Sequence, residues 1–298
     1  MKILIAGSSG LIGSALAATL SQQGHQVTRL VREAVPCGSA DLRWDPDSGA
    51  PDAKLEGFEA VVHLGGRNIA SGRWTEAVKV SIRESRVRST QLLSCALQEI
   101  RNPPRVFISA SGISIYGNRG AEILTEDSSP GTGFLADVVR EWEAATRPAA
   151  ERGLRVANLR FGLVLSAHGG ALAKMLLPFK LGLGGVVGSG EQYWSWITLE
   201  DAVRAIQHTL VTEALSGPLN LVSPNPVTNR EFTRALGAAL RRPTILPVPA
   251  FVARIALGEM ADEALLASTR ALPAMLAASG FKFLHSDLAE ALRSLLQK

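Results

Sequence analysis

The chain has 298 residues, 46% hydrophobic and 19% charged, enough to bury a sizeable core in one large domain or two unequal lobes. Lys plus Arg number 31 against 27 Asp plus Glu, a net +4 spread along the sequence that makes no footprint for nucleic acid. The two cysteines, Cys37 and Cys95, exclude a disulfide scaffold and fit a reducing, cytoplasmic compartment. No run approaches the ~18 apolar residues of a membrane span, and the apolar opening Met1–Ala6 breaks into glycine too soon for a signal-peptide core.

In chain order, Lys2–Ala6 reads as a buried strand, Leu11–Gln23 as a helix closed by Gly24, and His25–Val31 as a second strand. Residues 32–57 are polar and broken by Pro36, Pro46 and Pro51, with room for one short strand near Leu42–Trp44. Glu59–Leu64 is the next strand, and a helical pattern runs from Trp74 to Ile100. Arg105–Ala110 reads as strand, Phe134–Arg152 as helix, and Leu154–Arg160 as strand. This alternation predicts an α/β, Rossmann-type, doubly wound parallel sheet whose order reverses near the first strand. Past Gly162 the pattern becomes Gly-rich, with a strand around Tyr193–Ile197 and helices at Thr198–Leu210 and Thr228–Leu240, the latter capped by Thr228. Pro247–Lys298 reads as mostly helical. The expected division is a cofactor domain over 1–165, to which later segments return, and a smaller substrate lobe over 166–298.

Gly7-Ser8-Ser9-Gly10-Leu11-Ile12-Gly13 follows the first strand and opens the first helix. The first glycine permits a tight turn, the second lets the backbone approach a pyrophosphate, and the third allows close helix–sheet contact. The helix N-terminus then offers unpaired N–H groups to phosphate. At the end of the second strand, where a carboxylate would bind the adenosine ribose of NAD, the chain reads Arg29-Leu30-Val31-Arg32. Arg32 is placed to pair with a 2′-phosphate, and the Ser8 and Ser9 hydroxyls can add contacts, so NADP(H) is the expected cofactor. The histidines show no metal-ligand spacing, and no metal is expected.

The G-x-x-G-x-x-G spacing resembles the extended, epimerase-like branch of the short-chain dehydrogenase/reductase superfamily. Further segments resemble it too: Val61-Val62-His63-Leu64-Gly65-Gly66, Ile108-Ser109-Ala110-Ser111 followed by Tyr116-Gly117, Leu159-Arg160-Phe161-Gly162-Leu163-Val164, and Trp196-Ile197-Thr198-Leu199-Glu200-Asp201. Arg73-Trp74, Ile82-Arg83-Glu84-Ser85-Arg86, Leu257-Gly258-Glu259-Met260 and Gly280-Phe281-Lys282-Phe283 narrow the resemblance to an atypical NADP-binding "epimerase family protein" subgroup, across essentially the whole chain. It implies that Leu64, Gly65, Gly66, Ser109, Ala110, Phe161, Gly162 and Val164 support the cofactor.

Enzymes of that superfamily use a Tyr with a Lys four residues later, the ammonium lowering the phenol pKa. The two tyrosines here are followed at that spacing by Gly120 and Ile197, and the helix where the pair would lie offers Phe134 and Val138. The dyad is absent. Ser111 is a candidate partner for a substrate carbonyl or a strand-end serine bonded to backbone. Tyr116 is a candidate substitute acid or a structural tyrosine in its turn. Arg73, Lys174 and Trp194 are candidate substrate contacts, with Lys174 otherwise a solvated helix residue and either Trp194 or Trp196 packed in the core. Glu259 reads as a buried tie. Two functions follow: an NADP(H)-dependent epimerase or reductase acting on a small carbonyl or sugar-like compound, or a non-catalytic, redox-sensing NADP(H)-binding protein that meets a protein partner or a second copy.

Overall fold

The computed structural model describes residues 1–51 and 55–297; Lys298, the end of the expected helical tail, lies outside them. The first half runs β1 (Lys2–Ala6), α1 (Leu11–Gln22), β2 (Gln26–Val31), β3 (Leu42–Arg43), β4 (Ala60–His63), α2 (Glu76–Glu84), α3 (Val87–Glu99) and β5 (Val106–Gly112). A 3₁₀ turn, Ile113–Tyr116, leads to β6 (Ile123–Leu124), α4 (Phe134–Ala144), α5 (Arg147–Glu151), β7 (Arg155–Phe161) and β8 (Leu163–Leu165). The second half holds α6 (Gly170–Lys180), β9 (Tyr193–Trp194), β10 (Trp196–Thr198), α7 (Leu199–Val211), β11 (Gly217–Leu221), β12 (Val227–Thr228) and α8 (Asn229–Leu240). It closes with α9 (Ala250–Leu257), β13 (Arg270–Ala271), α10 (Ala274–Ala278) and α11 (Leu288–Leu296).

Seven strands form one sheet in the order β11-β7-β5-β4-β1-β2-β3, every neighbouring pair parallel. Alternation along each strand sends side chains to opposite faces. Ile3, Ile5, Val62 and Ile108 meet Leu16 and Leu20 of α1 and Val203 and Ile206 of α7. Leu4, Val61, Phe107 and Val156 meet Leu93 and Leu97 of α3 and Ala149 of α5. The order reverses between β1 and β4, which opens a crevice beyond their carboxyl ends, as expected from the sequence.

The chain does not leave the sheet for good after β8, because α7 and β11 return to it. The outer lobe has its own core of Trp194, Trp196, Phe232, Leu236, Leu288 and Leu292. Asp201, fully buried at the start of α7, accepts the Leu284 and His285 N–H groups at 2.8 and 2.9 Å and so fastens the C-terminal segment to the sheet. Thr228 caps α8, as its sequence predicts, and with Glu231 it forms a capping box.

Two helices expected to be continuous are broken. Between α2 and α3 the Ile82 carbonyl accepts from both Ser85 Oγ and Arg86 Nη1, and Ser89 Oγ bonds back to the Ser85 carbonyl, so side chains compete with the backbone ladder. Between α4 and α5, Thr146 Oγ1 donates to the Glu143 carbonyl and Pro148 lacks the N–H to continue the ladder.

Candidate functional site

At the head of the crevice Gly7 has φ +79°, and a Cβ there would lie 2.6 Å from Gly65 N. A Cβ on Gly13 would lie 2.2 Å from the Gly7 carbonyl oxygen, so α1 is seated directly on the turn. Gly10 is the N-cap of α1 with no side-chain cap and no acidic residue in the first turn. The Leu11, Ile12 and Gly13 N–H groups therefore point outward with partial positive charge. Ser8 is buried and Ser9 exposed on the same turn, while Leu11 Cδ1 lies 3.1 Å from where a Gly169 Cβ would be, bringing the α6 entry over the loop. A cradle that any Cβ would fill, below an uncapped helix end, fits a pyrophosphate.

On the β2 side, Arg29 is taken by Asp41, with Nε and Nη2 both donating to its carboxylate, and the guanidinium holds that carboxyl below its usual range. Arg32, one residue past β2, is exposed and makes no side-chain bond among the described residues. It is the cation available to a phosphate at the adenosine end.

On the β4 side, Leu64 N donates to the Ala6 carbonyl at 2.8 Å, and Gly65 and Gly66 follow. His63 lies buried under this turn: its ring would touch a Gly65 Cβ at 2.7 Å, and its Nε2 meets Ser89 Oγ at 3.0 Å. Burial pushes its pKa down to about 4, and its Nδ1 has no partner among the described residues. Ser109 and Ala110 are buried in β5. Phe161 and Val164 flank Gly162, whose missing side chain admits the Ser195 carbonyl, 2.5 Å from a would-be Cβ.

The two candidate catalytic hydroxyls are both committed elsewhere. Ser111 is 4% exposed and donates to Glu143 Oε1 at 2.6 Å. The Glu143 carboxylate is also gripped by Arg160, Nε to Oε1 at 2.8 Å and Nη2 to Oε2 at 2.9 Å. Tyr116 is 0% exposed; its hydroxyl accepts from Arg160 Nη1 at 2.9 Å and donates toward Asn220 Oδ1 at 2.8 Å or the Thr125 carbonyl at 2.9 Å. Burial raises its pKa further. Both hydroxyls are buried, and the network ties β5, β7, α4 and β11 together.

The 3₁₀ turn after β5 presents another hydroxyl. Ser114 is partly exposed, its Oγ bonds no described residue, and it fills the space beside Gly112, 3.3 Å from where a Cβ would stand. No spacing rule singles it out, since where it stands follows from the 3₁₀ turn after Gly112. At the dyad positions α4 has Phe134 and Val138, which have no proton to give: Leu135, Val138 and Val139 are buried, and Phe134 meets Trp74 edge-on at 5.3 Å.

Around Phe134 the outer lobe closes the crevice. Glu263 accepts from Phe134 N and Leu135 N at 3.1 and 3.0 Å, capping α4. Lys79 Nζ lies 3.0 Å from Glu259 and 4.8 Å from the Phe134 ring centroid. Glu259 is a tie, as expected, but a half-exposed one. Arg73 is exposed, with Nε 3.3 Å from the Cβ position of Gly258. Lys174 donates to the Ala70 carbonyl at 2.8 Å, so it tethers the loop ahead of α2. The expectation of one pocket-lining tryptophan is corrected: Trp194 packs on Phe232 at 5.1 Å and donates to the Leu265 carbonyl, and Trp196 donates to the Asn225 carbonyl. Both belong to the core of the outer lobe.

Fold and crevice together define a Rossmann-type nucleotide-binding protein of the short-chain dehydrogenase/reductase kind. The chain belongs to the NAD dependent epimerase/dehydratase family, whose model matches residues 3–220, and a domain of unknown function, DUF1731, matches residues 248–295. It is 49% identical over 291 residues to an epimerase family protein of Mycobacterium tuberculosis, covering 97% of this chain and 96% of that one. To human epimerase family protein SDR39U1 it is 35% identical over 301 residues, covering 99% and 100%. The crystal structure of human SDR39U1 (isoform 2) with NADPH superimposes with a TM-score of 0.91 at 34% identity over 100% of both chains. No helix among the described residues is long and apolar enough to cross a membrane.

Proposed function

We propose that the chain binds NADPH across the β1/β4 crevice and uses it on a small carbonyl or sugar-like substrate, as a cytoplasmic oxidoreductase or epimerase without a Tyr–Lys dyad. The observation that carries this reading is the division of labour at the end of β2: Asp41 occupies Arg29 and leaves Arg32 for a 2′-phosphate. The NADPH in the human relative's structure supports it.

Gly7, Gly10, Gly13 and the Leu11 and Ile12 N–H groups would hold the pyrophosphate, with Ser8 and Ser9 beside it. Leu64, Gly65, Gly66, Ser109 and Ala110 would support the middle of the cofactor, and Phe161, Gly162 and Val164 its nicotinamide end. When bound, NADPH supplies the reducing equivalent to a carbonyl carbon. Ser114, whose hydroxyl bonds no described residue, would hold the carbonyl oxygen and pass it a proton drawn from water, and Arg73 would line the entrance.

A second reading, binding without turnover, is favoured by the apolar face that α4 presents at Phe134, Leu135, Val138 and Val139. Mixing the protein with NADPH and a panel of aldehydes, ketones and nucleotide sugars, and following nicotinamide absorbance, separates the two. Oxidation that Ser114→Ala reduces supports the enzyme and Ser114; oxidation unchanged in that variant removes Ser114. Tight NADPH binding with neither net oxidation nor an epimerised sugar formed across the panel supports the second reading.

A further inference from the structure

Among the described residues thirteen large apolar side chains stand exposed, and eight of them fall in two short segments. Leu177, Leu181 and Leu183 lie on the outer face of α6 and the turn after it, opposite the buried Leu172 and Phe179. Ile245 and Leu246 lie on the loop before α9, and Phe251, Val252 and Ile255 form one face of that helix, opposite the buried Ala253. The two segments are laced into one surface. The Leu246 carbonyl occupies the place of a Gly185 side chain, Arg242 Nε donates to the Lys180 carbonyl at 2.9 Å, and Val248 N donates to the Val186 carbonyl at 2.8 Å. The loop projects from that surface, with Ile245 80% exposed between the exposed Pro243 and Pro247. Single exposed apolar residues need no explanation, whereas a cluster of this density marks a surface that meets something apolar.

Charge narrows what that is. Residues 170–190 and 240–258 contain Lys174, Lys180, Arg241, Arg242 and Arg254 and no Asp or Glu. Lys174 is held by the Ala70 carbonyl and Arg254 by Asp262. Lys180, Arg241 and Arg242 are exposed, and none of them pairs with a carboxylate among the described residues. Arg241 closes α8 at φ +54°, a left-handed backbone that no other non-glycine residue adopts among those described. Glycine is the common occupant of such a cap, so the cation is kept there at a cost in backbone strain. A second copy docked by the same face would bring these cations against their own images. The patch therefore suits a partner that is apolar within and negative at its surface. An anionic bilayer is both: apolar side chains enter the boundary between headgroups and acyl chains, while Lys and Arg stay among the phosphates. A projecting loop also needs no matching recess in a fluid surface, as it would in a protein partner.

We propose that this face of the outer lobe is a peripheral docking surface for an anionic lipid bilayer. Ile245, Phe251 and Ile255 enter the interface, and Lys180, Arg241 and Arg242 meet the headgroup phosphates. Docking by this face stands whether or not the chain turns over NADPH.

The test is co-sedimentation of the full chain with vesicles of phosphatidylcholine alone and of phosphatidylcholine with about 30% phosphatidylglycerol, with light scattering and NADPH titration on the same preparations. Three proteins are compared: the parent, Ile245→Ser with Phe251→Ser, and Lys180→Gln with Arg241→Gly. All four positions are exposed, so the fold is retained. The parent is expected to partition onto the anionic vesicles about 10-fold or more above phosphatidylcholine alone, and to lose most of that in high salt. Each double variant lowers the partitioning about 10-fold or more, through lost apolar burial in one and lost charge in the other. NADPH affinity stays within about twofold in both, as for sites with no shared partners. No binding to the anionic vesicles overturns the proposal, as does binding that both double variants leave unchanged. A parent that ignores vesicles and forms dimers, which Ile245→Ser with Phe251→Ser makes monomeric, assigns the patch to a second copy instead. A monomer that ignores vesicles assigns it to an acidic protein surface.

Discussion

Replacing Tyr116 with Phe removes one oxygen from the centre of the β5–β7–α4 network while leaving the ring in its cavity. That oxygen accepts from Arg160 Nη1 at 2.9 Å, whose remaining acceptor is the Glu126 carbonyl at 3.3 Å, and it donates toward Asn220 Oδ1 at 2.8 Å. A hydrogen bond to a charged group contributes roughly 1.5–3 kcal/mol, and the buried Asn220 oxygen is left short of a donor, so the loss is about 2–3 kcal/mol. With a urea m-value of about 3 kcal/mol/M, the unfolding midpoint falls by just under about 1 M. NADPH affinity and any NADPH-linked turnover stay within about twofold, because the hydroxyl is buried and already bonded. Urea denaturation and cofactor titration on the same preparation check both. An unchanged midpoint with turnover lowered about 100-fold or more, the range of a lost general acid, would refute the structural role and restore Tyr116 as proton donor.

Other consequences concern the cofactor turn. His63 titrates near 6.5 when unfolded and near 4 when folded. Between those values the unfolded chain binds a proton that the native chain excludes, so His63's stabilising contribution is present above about pH 6.5 and is lost as pH falls toward 4. The loss is about 1.4 kcal/mol per unit, about 3 kcal/mol in full. Chemical denaturation at pH 7.5 and 5 reads it, and His63→Phe flattens the difference; parallel profiles for the two proteins would contradict this. Gly13→Ala forces a Cβ to within 2.2 Å of the Gly7 carbonyl. The overpacking costs about 1–3 kcal/mol, lowers the melting temperature and moves the turn that takes the pyrophosphate, so NADPH affinity falls as well; an unaltered melting curve and affinity would show that the α1 seat relaxes freely.

What the sequence disclosed, and what it hid, follows the range of the interactions. Gly7, Gly10 and Gly13 declare themselves through local backbone geometry, so the tight turn between β1 and α1 was legible, and Arg32 is exposed one residue past β2 as its position in the sequence indicates. Ser111 and Tyr116 looked catalytic by position because their partners, Glu143 and Asn220, lie 32 and 104 residues away along the chain. Ser114 was overlooked because its partly exposed, unbonded hydroxyl follows from the 3₁₀ turn after Gly112 and not from any spacing. The α2/α3 break had no Pro or Gly to announce it, being made by Ser85 and Arg86 competing for one carbonyl, and with it went the signal that Arg86 leaves the helical stripe. Trp194 alternates with Trp196 along the sequence, yet both are buried, because Phe232 from α8 and the Leu265 and Asn225 carbonyls cover them. The absence of the Tyr–Lys pair, by contrast, was fully visible, since a chain with two tyrosines permits an exhaustive search.

The central claim is that this crevice selects NADPH through Arg32, and parallel titrations of the parent and Arg32→Ala with NADPH and NADH test it most directly. The account predicts that the parent prefers NADPH, and that Arg32→Ala lowers NADPH affinity about 10- to 100-fold while leaving NADH within about twofold. Equal affinities in the parent, or an NADPH preference that survives Arg32→Ala, would contradict it.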